Sequence, residues 1–325
     1  MQAVVLVGGE GTRLRPLTAD VPKPAVTLVD RPFLAFFVEW LGRHGVEEVV
    51  LACGFKPDVL RRALGDEHAG LPLRYVVEPE RRGTAGAIRF AAEQLGDSLG
   101  ERFLALNGDV LADLDLTALQ RAHAERGARA TIALHPADDS SAYGLVRRGP
   151  AGEVLEFLEK TGEPEPGEVN AGAYVLERSV LDLIPAGREV SIEREVFPRL
   201  VGEGLSAELL DGYWMDIGTR ERYLQASWDI LESRVETAVR PTAPGLLVGA
   251  GAEIAAGASV GPRAVVGPGV RIGAGAEVSE TVLLEGSEVG AGAKIGGSVL
   301  GPGAAVAAGV VLADTIVGRD ERVSG

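Results

Sequence analysis

The sequence predicts an α/β protein in two parts: a mostly parallel sheet with helices on both faces, then a β-helix of six-residue repeats. Three observations predict it. Short β-branched runs alternate with helix-like segments through the first part of the chain. Composition changes near residue 240, after which the chain is Gly, Ala and Val with few long polar side chains. Every aromatic residue and every histidine lies before that change, Trp228 being the last aromatic. Beyond it, aliphatic residues recur every six positions.

Val4-Val5-Leu6-Val7 reads as a buried parallel strand. It runs into Gly8-Gly9-Glu10-Gly11-Thr12-Arg13-Leu14-Arg15-Pro16-Leu17-Thr18, closed by Pro22-Lys23-Pro24. Glycines there allow a tight turn whose N–H groups can face an anion. Arg13, Arg15 and Lys23 add positive charge to an acidic protein. The spacing is neither the phosphate loop G-x-x-x-x-G-K-[ST] nor the dinucleotide pattern G-x-G-x-x-G. Taken alone, the loop also reads as a turn with solvated arginines.

Pro32 stands near the start of a helix carrying Phe33, Leu34, Phe37, Trp40 and Leu41. Strands follow over 46–51, 73–77, 102–106 and 129–134. Helices are expected over 57–64, from a Thr84 N-cap to Leu95, and over 117–126. Ligands of such sheets sit at the carboxyl ends of the strands. Gly8 to Arg13 and Asp109 both lie just past strand ends. From Tyr143 the pattern loosens into extended segments over 143–146, 154–158 and 170–176. Ser191, with Arg194 and Glu195, starts a helix to about Leu200. Tyr213 to Gly218 is a short strand with a turn, and Thr219 caps a helix to about Leu231.

Pro241-Thr242-Ala243-Pro244-Gly245 reads as a linker, giving domains 1–240 and 245–325. In the second, the period runs through Val248, Ile254, Val260, Val266, Ile272 and Val278. It breaks at Val282-Leu283-Leu284 and resumes at Val289, Ile295, Leu300, Val306 and Leu312, with one five-residue step. A disordered tail gives no reason for such a period.

The 325 residues carry a formal charge of −15. That argues against nucleic-acid polymers and anionic membranes, though not against one phosphate ligand in a locally basic pocket. The single cysteine, Cys53, excludes an internal disulfide and reads as a small buried apolar residue. No secretory signal or membrane-length apolar run is visible, so a cytoplasmic protein is expected. Asp109 and Asp216 each follow an apolar run. Carboxylates so placed can bind Mg²⁺ with substrate phosphate oxygens, and either alone can be a turn residue. The four histidines lack ligand spacing.

The opening loop resembles that of the sugar-1-phosphate nucleotidyltransferases, most nearly the mannose-1-phosphate guanylyltransferases. Further stretches resemble the family in its own order: Gly83-Thr84-Ala85-Gly86-Ala87, Leu106-Asn107-Gly108-Asp109, Tyr143-Gly144, Glu159-Lys160, Asn170-Ala171-Gly172 and Trp214-Met215-Asp216-Ile217-Gly218-Thr219. The resemblance covers essentially the whole chain. It implies a Rossmann-like domain and a left-handed hexapeptide-repeat β-helix. It implies that Gly8, Gly9, Gly11 and Thr12, with Glu78, Gly83 and Thr84, bind the nucleotide. Arg13 and Lys23 would stabilise phosphate charge, and Asp109 and Asp216 would hold Mg²⁺. Gly144, Glu159, Lys160 and Asn170 would bind the sugar phosphate. Two departures bear on substrate identity: Arg81-Arg82 stands where the family commonly has Pro-Leu, and Thr161 where it has proline after Glu-Lys.

Glu78 precedes the base loop, and a carboxylate can accept from both the N1–H and 2-amino groups of guanine. GTP is therefore the expected nucleotide, and mannose-1-phosphate the sugar implied by resemblance. Thymidylyl or uridylyl transfer to glucose-1-phosphate, and guanylyl transfer to heptose-1-phosphate, are the alternatives within the class. Outside it stands a silent regulatory relative that binds nucleotide sugars without chemistry. An acyltransferase is rejected because no histidine follows His135. The repeat domain is expected to mediate homo-oligomerisation.

Overall fold

The computed structural model describes residues 1–160 and 162–325. Thr161, one of the two departures from the family pattern, lies outside the described residues. By contacts the chain forms two compact units, Met1–Gly9 with Phe37–Trp214 and Glu10–Phe36 with Met215–Gly325.

The first unit is built on one mixed sheet. Its longer strands are β1 (Gln2–Leu6), β2 (Glu48–Cys53), β3 (Leu71–Val77), β4 (Arg102–Asn107), β5 (Ala130–Ala137), β6 (Gly144–Arg148), β7 (Val154–Glu159), β8 (Gly167–Glu177) and β9 (Leu205–Leu209), with the two-residue strand Glu67–His68 at the edge beside β3. β1 lies between β2 and β4, parallel to both, and β3 extends the parallel half beyond β2. This is the alternating region, where the three central strands β1, β2 and β4 are buried along most of their length and read as apolar runs, while β3 alternates buried and exposed residues. β8 then pairs antiparallel with β4, β5 and β6, and carries the sheet into its mixed half. β9, unanticipated from its mixed sequence, pairs parallel with β5.

Helices pack against the sheet. They are α1 (Phe33–Arg43), of which Phe37 onward belongs to this unit, α2 (Pro57–Leu64), α3 (Gly83–Leu95) and α4 (Leu116–Arg126). Ile88, Ala91 and Leu95 of α3 share one apolar core with Val4, Val50, Phe103, Ile132 and Tyr174. The small residues of α3 permit close approach. Gly83 adopts φ +67°, and a Cβ there would stand 2.6 Å from the Val190 carbonyl oxygen. Only glycine fits that backbone at that distance. Asp115 caps α4 by accepting from the Ala118 N–H at 2.9 Å.

Two expectations are corrected. Thr84 does not cap α3: the helix starts at Gly83, and the Thr84 hydroxyl instead donates to Glu193. The segment after Ser191 is a π-helical turn, Ile192–Val196, followed by the short α-helix Phe197–Leu200. The Ser191 N-cap stands, since its hydroxyl accepts from the Arg194 N–H and its own N–H donates to Glu195.

The second unit contains the loop over 10–36, helix α5 (Arg220–Leu231) and a coil of parallel strands. Thr219 caps α5 by accepting from the Arg222 N–H. The Tyr223 hydroxyl of α5 donates to the Thr27 carbonyl at 2.6 Å, tying the helix to the loop. Arg220 reaches Asp314 and Arg263 reaches Glu232, tying the helix region to the coil.

The coil forms three parallel sheets. Val248 lies beside Val266, Val266 beside Leu283, and Leu283 beside Leu300. The first turn therefore takes 18 residues and later turns 17. The apparent break at Val282-Leu283-Leu284 is a five-residue side, with Leu283 taking the inward place. The same short side recurs from Ile295 to Leu300 and from Leu312 to Val317. Val266, Ile272, Val278, Leu283, Val289, Ile295 and Leu300 form the buried interior.

Candidate active site

In the first unit, β1 and β4 end side by side, with Leu6 opposite Asn107. Gly8 and Gly9 continue from one strand and Gly108 and Asp109 from the other. The Gly108 N–H donates to the Leu6 carbonyl at 3.0 Å, fixing the turn that presents the half-buried Asp109. Gly8 faces Gly54 and Glu78: a Cβ there would stand 3.5 Å from the Gly54 nitrogen and 3.7 Å from Glu78 Oε1. The Glu78 N–H donates to Cys53, so the residue is set at the end of β2 and β3. Burial raises the Glu78 carboxyl above the usual carboxylate range, opposed by the Arg82 backbone N–H and guanidinium. Arg82 itself lies over the Phe90 ring at 4.7 Å, while Arg81 extends outward. Cys53 is buried and its thiol is pushed up to about 12, which leaves no reactive thiolate.

A second group in this unit gathers Gly144, Glu159, Lys160 and Asn170. Gly144 pairs with Glu159 across β6 and β7, and a Cβ at Gly144 would stand 2.9 Å from Glu159 Oε2. Lys160 adopts φ +49°, a conformation unusual for a side-chain-bearing residue, and turns the chain just after that carboxylate. Its N–H donates to the Tyr143 carbonyl at 3.2 Å. Burial first, and the Glu193 charge second, raise the Glu159 carboxyl, while Lys160 and Arg194 oppose them. Asn170 is oriented by both ends of its amide. Its oxygen accepts from the Gly172 N–H and its nitrogen donates to the Tyr174 hydroxyl, each at 2.9 Å. Trp214 is pinned nearby by donation to the Ala171 carbonyl, with His135 stacked on its ring and Tyr143 at its edge.

The second unit holds Gly11, Thr12, Arg13, Lys23 and Asp216. Gly11 sits at φ +63°, and a Cβ there would meet the Lys23 Cβ at 2.8 Å. The Thr18 hydroxyl donates to the Gly11 carbonyl at 2.8 Å, and Thr12–Leu14 forms one 3₁₀ turn. The loop therefore wraps onto Lys23, whose side chain is only 8% exposed. Lys23 Nζ lies 3.5 Å from Asp216 Oδ1, and an Arg13 guanidinium nitrogen lies 3.9 Å from Asp216 Oδ2. Gly218 clears room for Arg13: a Cβ there would stand 2.6 Å from its guanidinium. Arg15 points elsewhere, toward Glu10 at 3.2 Å.

Asp216 Oδ1 is buried and makes no hydrogen bond among the described residues. A carboxylate oxygen held that way suits a hard divalent cation, which takes oxygen ligands. Among the described residues no group of three or more His, Cys, Asp or Glu side chains forms a self-sufficient metal cage.

Glu193 was not singled out from the sequence. It accepts from Thr84 and Ser191 and lies 3.5 Å from the Tyr174 hydroxyl. His123, by contrast, is a core histidine bonded to Thr131 and Glu177. Among the described residues no helix is long and apolar enough to cross a membrane.

The chain is similar to known proteins over most of its length. Residues 2–233 match the family described as Nucleotidyl transferase, and residues 242–325 match the GMPPB C-terminal domain. The chain is 39% identical over 277 residues to a mannose-1-phosphate guanylyltransferase of Mycobacterium tuberculosis, covering 78% of this chain and 76% of that protein. It is 39% identical over 254 residues to mannose-1-phosphate guanylyltransferase 1 of Arabidopsis thaliana, covering 77% and 70%. Among solved structures it is similar to HddC from Yersinia pseudotuberculosis, with a TM-score of 0.62 and 29% identity over 70% of this chain and 99% of that one. HddC complexed with GMP-PN matches with a TM-score of 0.61 and 28% identity.

Proposed function

The chain belongs to the nucleotidyl transferase family, and we propose that it transfers a guanylyl group from GTP to mannose-1-phosphate, releasing GDP-mannose and pyrophosphate. The observation that carries this reading is the convergence of Arg13 and Lys23 on Asp216. Two cations at one carboxylate, on a loop that presents backbone amides, suit a triphosphate with its divalent cation.

A phosphate oxygen of the sugar-1-phosphate attacks the α-phosphorus in line. A new P–O bond forms as the bond to the β-phosphate oxygen breaks, and pyrophosphate carries off the electron pair. The nucleophile is already anionic, so no general base is needed. Catalysis then rests on positioning and charge stabilisation. Gly8, Gly9, Gly11 and Thr12 hold the nucleotide phosphates, with Glu78, Gly83 and Thr84 on the base side. Arg13 stabilises the leaving pyrophosphate, and Lys23 the α-phosphate and incoming sugar phosphate. Gly144, Glu159, Lys160 and Asn170 bind the sugar phosphate. Asp109 and Asp216 are the residues assigned to Mg²⁺, which when bound neutralises phosphate charge.

Guanine is favoured by Glu78, whose carboxylate is set against Gly8 at the strand ends. It is favoured also by the names of the relatives and by the GMP-PN complex of HddC. A panel of four nucleoside triphosphates against mannose-, glucose- and heptose-1-phosphate, read by pyrophosphate release, tests the pair. GTP with mannose-1-phosphate is expected to give the highest kcat/KM. UTP or dTTP turning over at least as well as GTP would overturn the base assignment.

The reading divides the chain into a transferase domain, 1–240, and a β-helix domain, 245–325. The β-helix carries few groups capable of chemistry, and its flat walls suit self-association. Light scattering is expected to give a particle heavier than one 33.9 kDa chain, and a monomer at micromolar concentration would sink that role. The reading takes the enzyme to be cytoplasmic.

A further inference from the structure

Side chains from three separate segments of the chain form one continuous relay in the first unit. The Thr84 hydroxyl donates to Glu193 Oε2 at 2.8 Å, and the Ser191 hydroxyl donates to the same oxygen at 2.7 Å. The other oxygen, Oε1, takes the Tyr174 hydroxyl at 3.5 Å. The Tyr174 hydroxyl in turn accepts from the Asn170 amide at 2.9 Å. Tyr174 is fully buried, so its hydroxyl has few other partners to turn to. Thr84 stands on the proposed base loop, and Asn170 on the proposed sugar strand. No direct bond is needed between those two residues, because the Glu193 carboxylate bridges them.

The relay is fixed from below as well. The Ile192 N–H donates to Thr84 Oγ1 at 2.8 Å, and the Ala85 N–H donates to the Val190 carbonyl at 2.9 Å. The backbone carrying Glu193 is thus bolted to the first turn of α3. A π-helical turn holds Glu193, and such turns are frequent at functional sites.

We propose that Glu193 is a positioning residue that couples the two substrate subsites, so that ordering the base loop by nucleotide also orders Asn170 for the sugar phosphate. It touches neither substrate in this scheme. It acts by holding Thr84 and Tyr174 on opposite oxygens of one carboxylate. The inference rests on the proposed assignment of Thr84 to the nucleotide and Asn170 to the sugar phosphate. Coupling between sites is reciprocal, so each end must feel the loss of the other.

The test is a double-mutant cycle between Thr84→Val and Tyr174→Phe, two residues joined through Glu193. Steady-state KM is measured for both substrates, with melting temperature as a control. Thr84→Val is expected to raise KM for the sugar phosphate about fivefold or more, and Tyr174→Phe to raise KM for the nucleotide likewise. The kcat should change less than either KM. In the double variant the second substitution should add little to the first. In a Glu193→Ala background both cross-effects should vanish. Two results overturn the proposal: cross-effects absent in the single variants, or single effects that simply multiply in the double. The wild-type cycle decides even if Glu193→Ala does not fold. A wild type without turnover on any substrate pair would instead refute the assigned function, so the two failures are distinguishable.

Discussion

Asp216→Asn is expected to lower kcat about a thousandfold while shifting the melting temperature by no more than a few degrees. The two effects separate because of where the carboxylate stands. Its Oδ1 is buried and makes no hydrogen bond among the described residues, its near neighbour being the ion-pair partner Lys23, so an isosteric amide breaks no hydrogen bond there and removes only the charge. The charge it removes is the one facing Lys23 at 3.5 Å and Arg13 at 3.9 Å, both salt-bridge partners at a half-buried position. In the proposed reaction that charge holds the divalent cation. The same variant is expected to need a much higher Mg²⁺ concentration for its residual turnover, and chelation with EDTA should abolish wild-type turnover. A variant with near wild-type kcat and an unchanged Mg²⁺ dependence would remove Asp216 from the metal-binding residues.

Lys23→Met is expected to lower kcat about a hundredfold or more, with a smaller change in KM for nucleotide. Lys23 differs from Arg13 in its surroundings. Its side chain is 8% exposed, whereas that of Arg13 is 66% exposed. A buried ammonium acts through a low-dielectric surround and loses little to salt. Methionine keeps the length and apolar stem that pack beside Gly11, so the loop backbone should persist. Single-turnover measurement separates the chemical step from product release. A kcat that stays within a factor of about three would show that Lys23 serves the fold and not the reaction.

Much of the fold was legible because each signal was local. The parallel half of the sheet announces itself in doubly buried strands such as Val4-Val5-Leu6, and the carboxyl-end rule then points to Gly8 and Asp109. The β-helix is legible because one aliphatic residue per side must point inward. Its five-residue sides were not, because Val282, Leu283 and Leu284 are all apolar and periodicity cannot choose among them. Only the register of Leu283 beside Val266 does so. The strand Leu205–Leu209 escaped because Ser206 and Glu208 interrupt its apolar character, and pairing with Ala130–Ala137 makes it a strand.

The site divides in the same way. Arg13, Lys23 and Asp216 could be singled out by residue type and motif, and the structure brings them together. Thr84 was misread as a cap, because a threonine near a helix start usually accepts from the backbone. Here its hydroxyl answers to Glu193, more than a hundred positions away. Glu193 itself had no sequence signal, since its meaning depends on Thr84, Tyr174 and Ser191 meeting at one carboxylate. The glycines over 83–86 carried a signal whose cause was incomplete. Gly83 is required by the Val190 carbonyl, independently of the nucleotide contact proposed for it.

The most direct test of the account is pyrophosphate release by the wild-type chain of 325 residues supplied with GTP, mannose-1-phosphate and Mg²⁺. GDP-mannose is quantified in the same reaction. The account predicts one pyrophosphate per GDP-mannose, with neither product formed when the sugar phosphate is omitted. Saturable nucleotide-sugar binding without pyrophosphate release from any triphosphate and sugar-phosphate pair would contradict it, and would identify a regulatory relative instead.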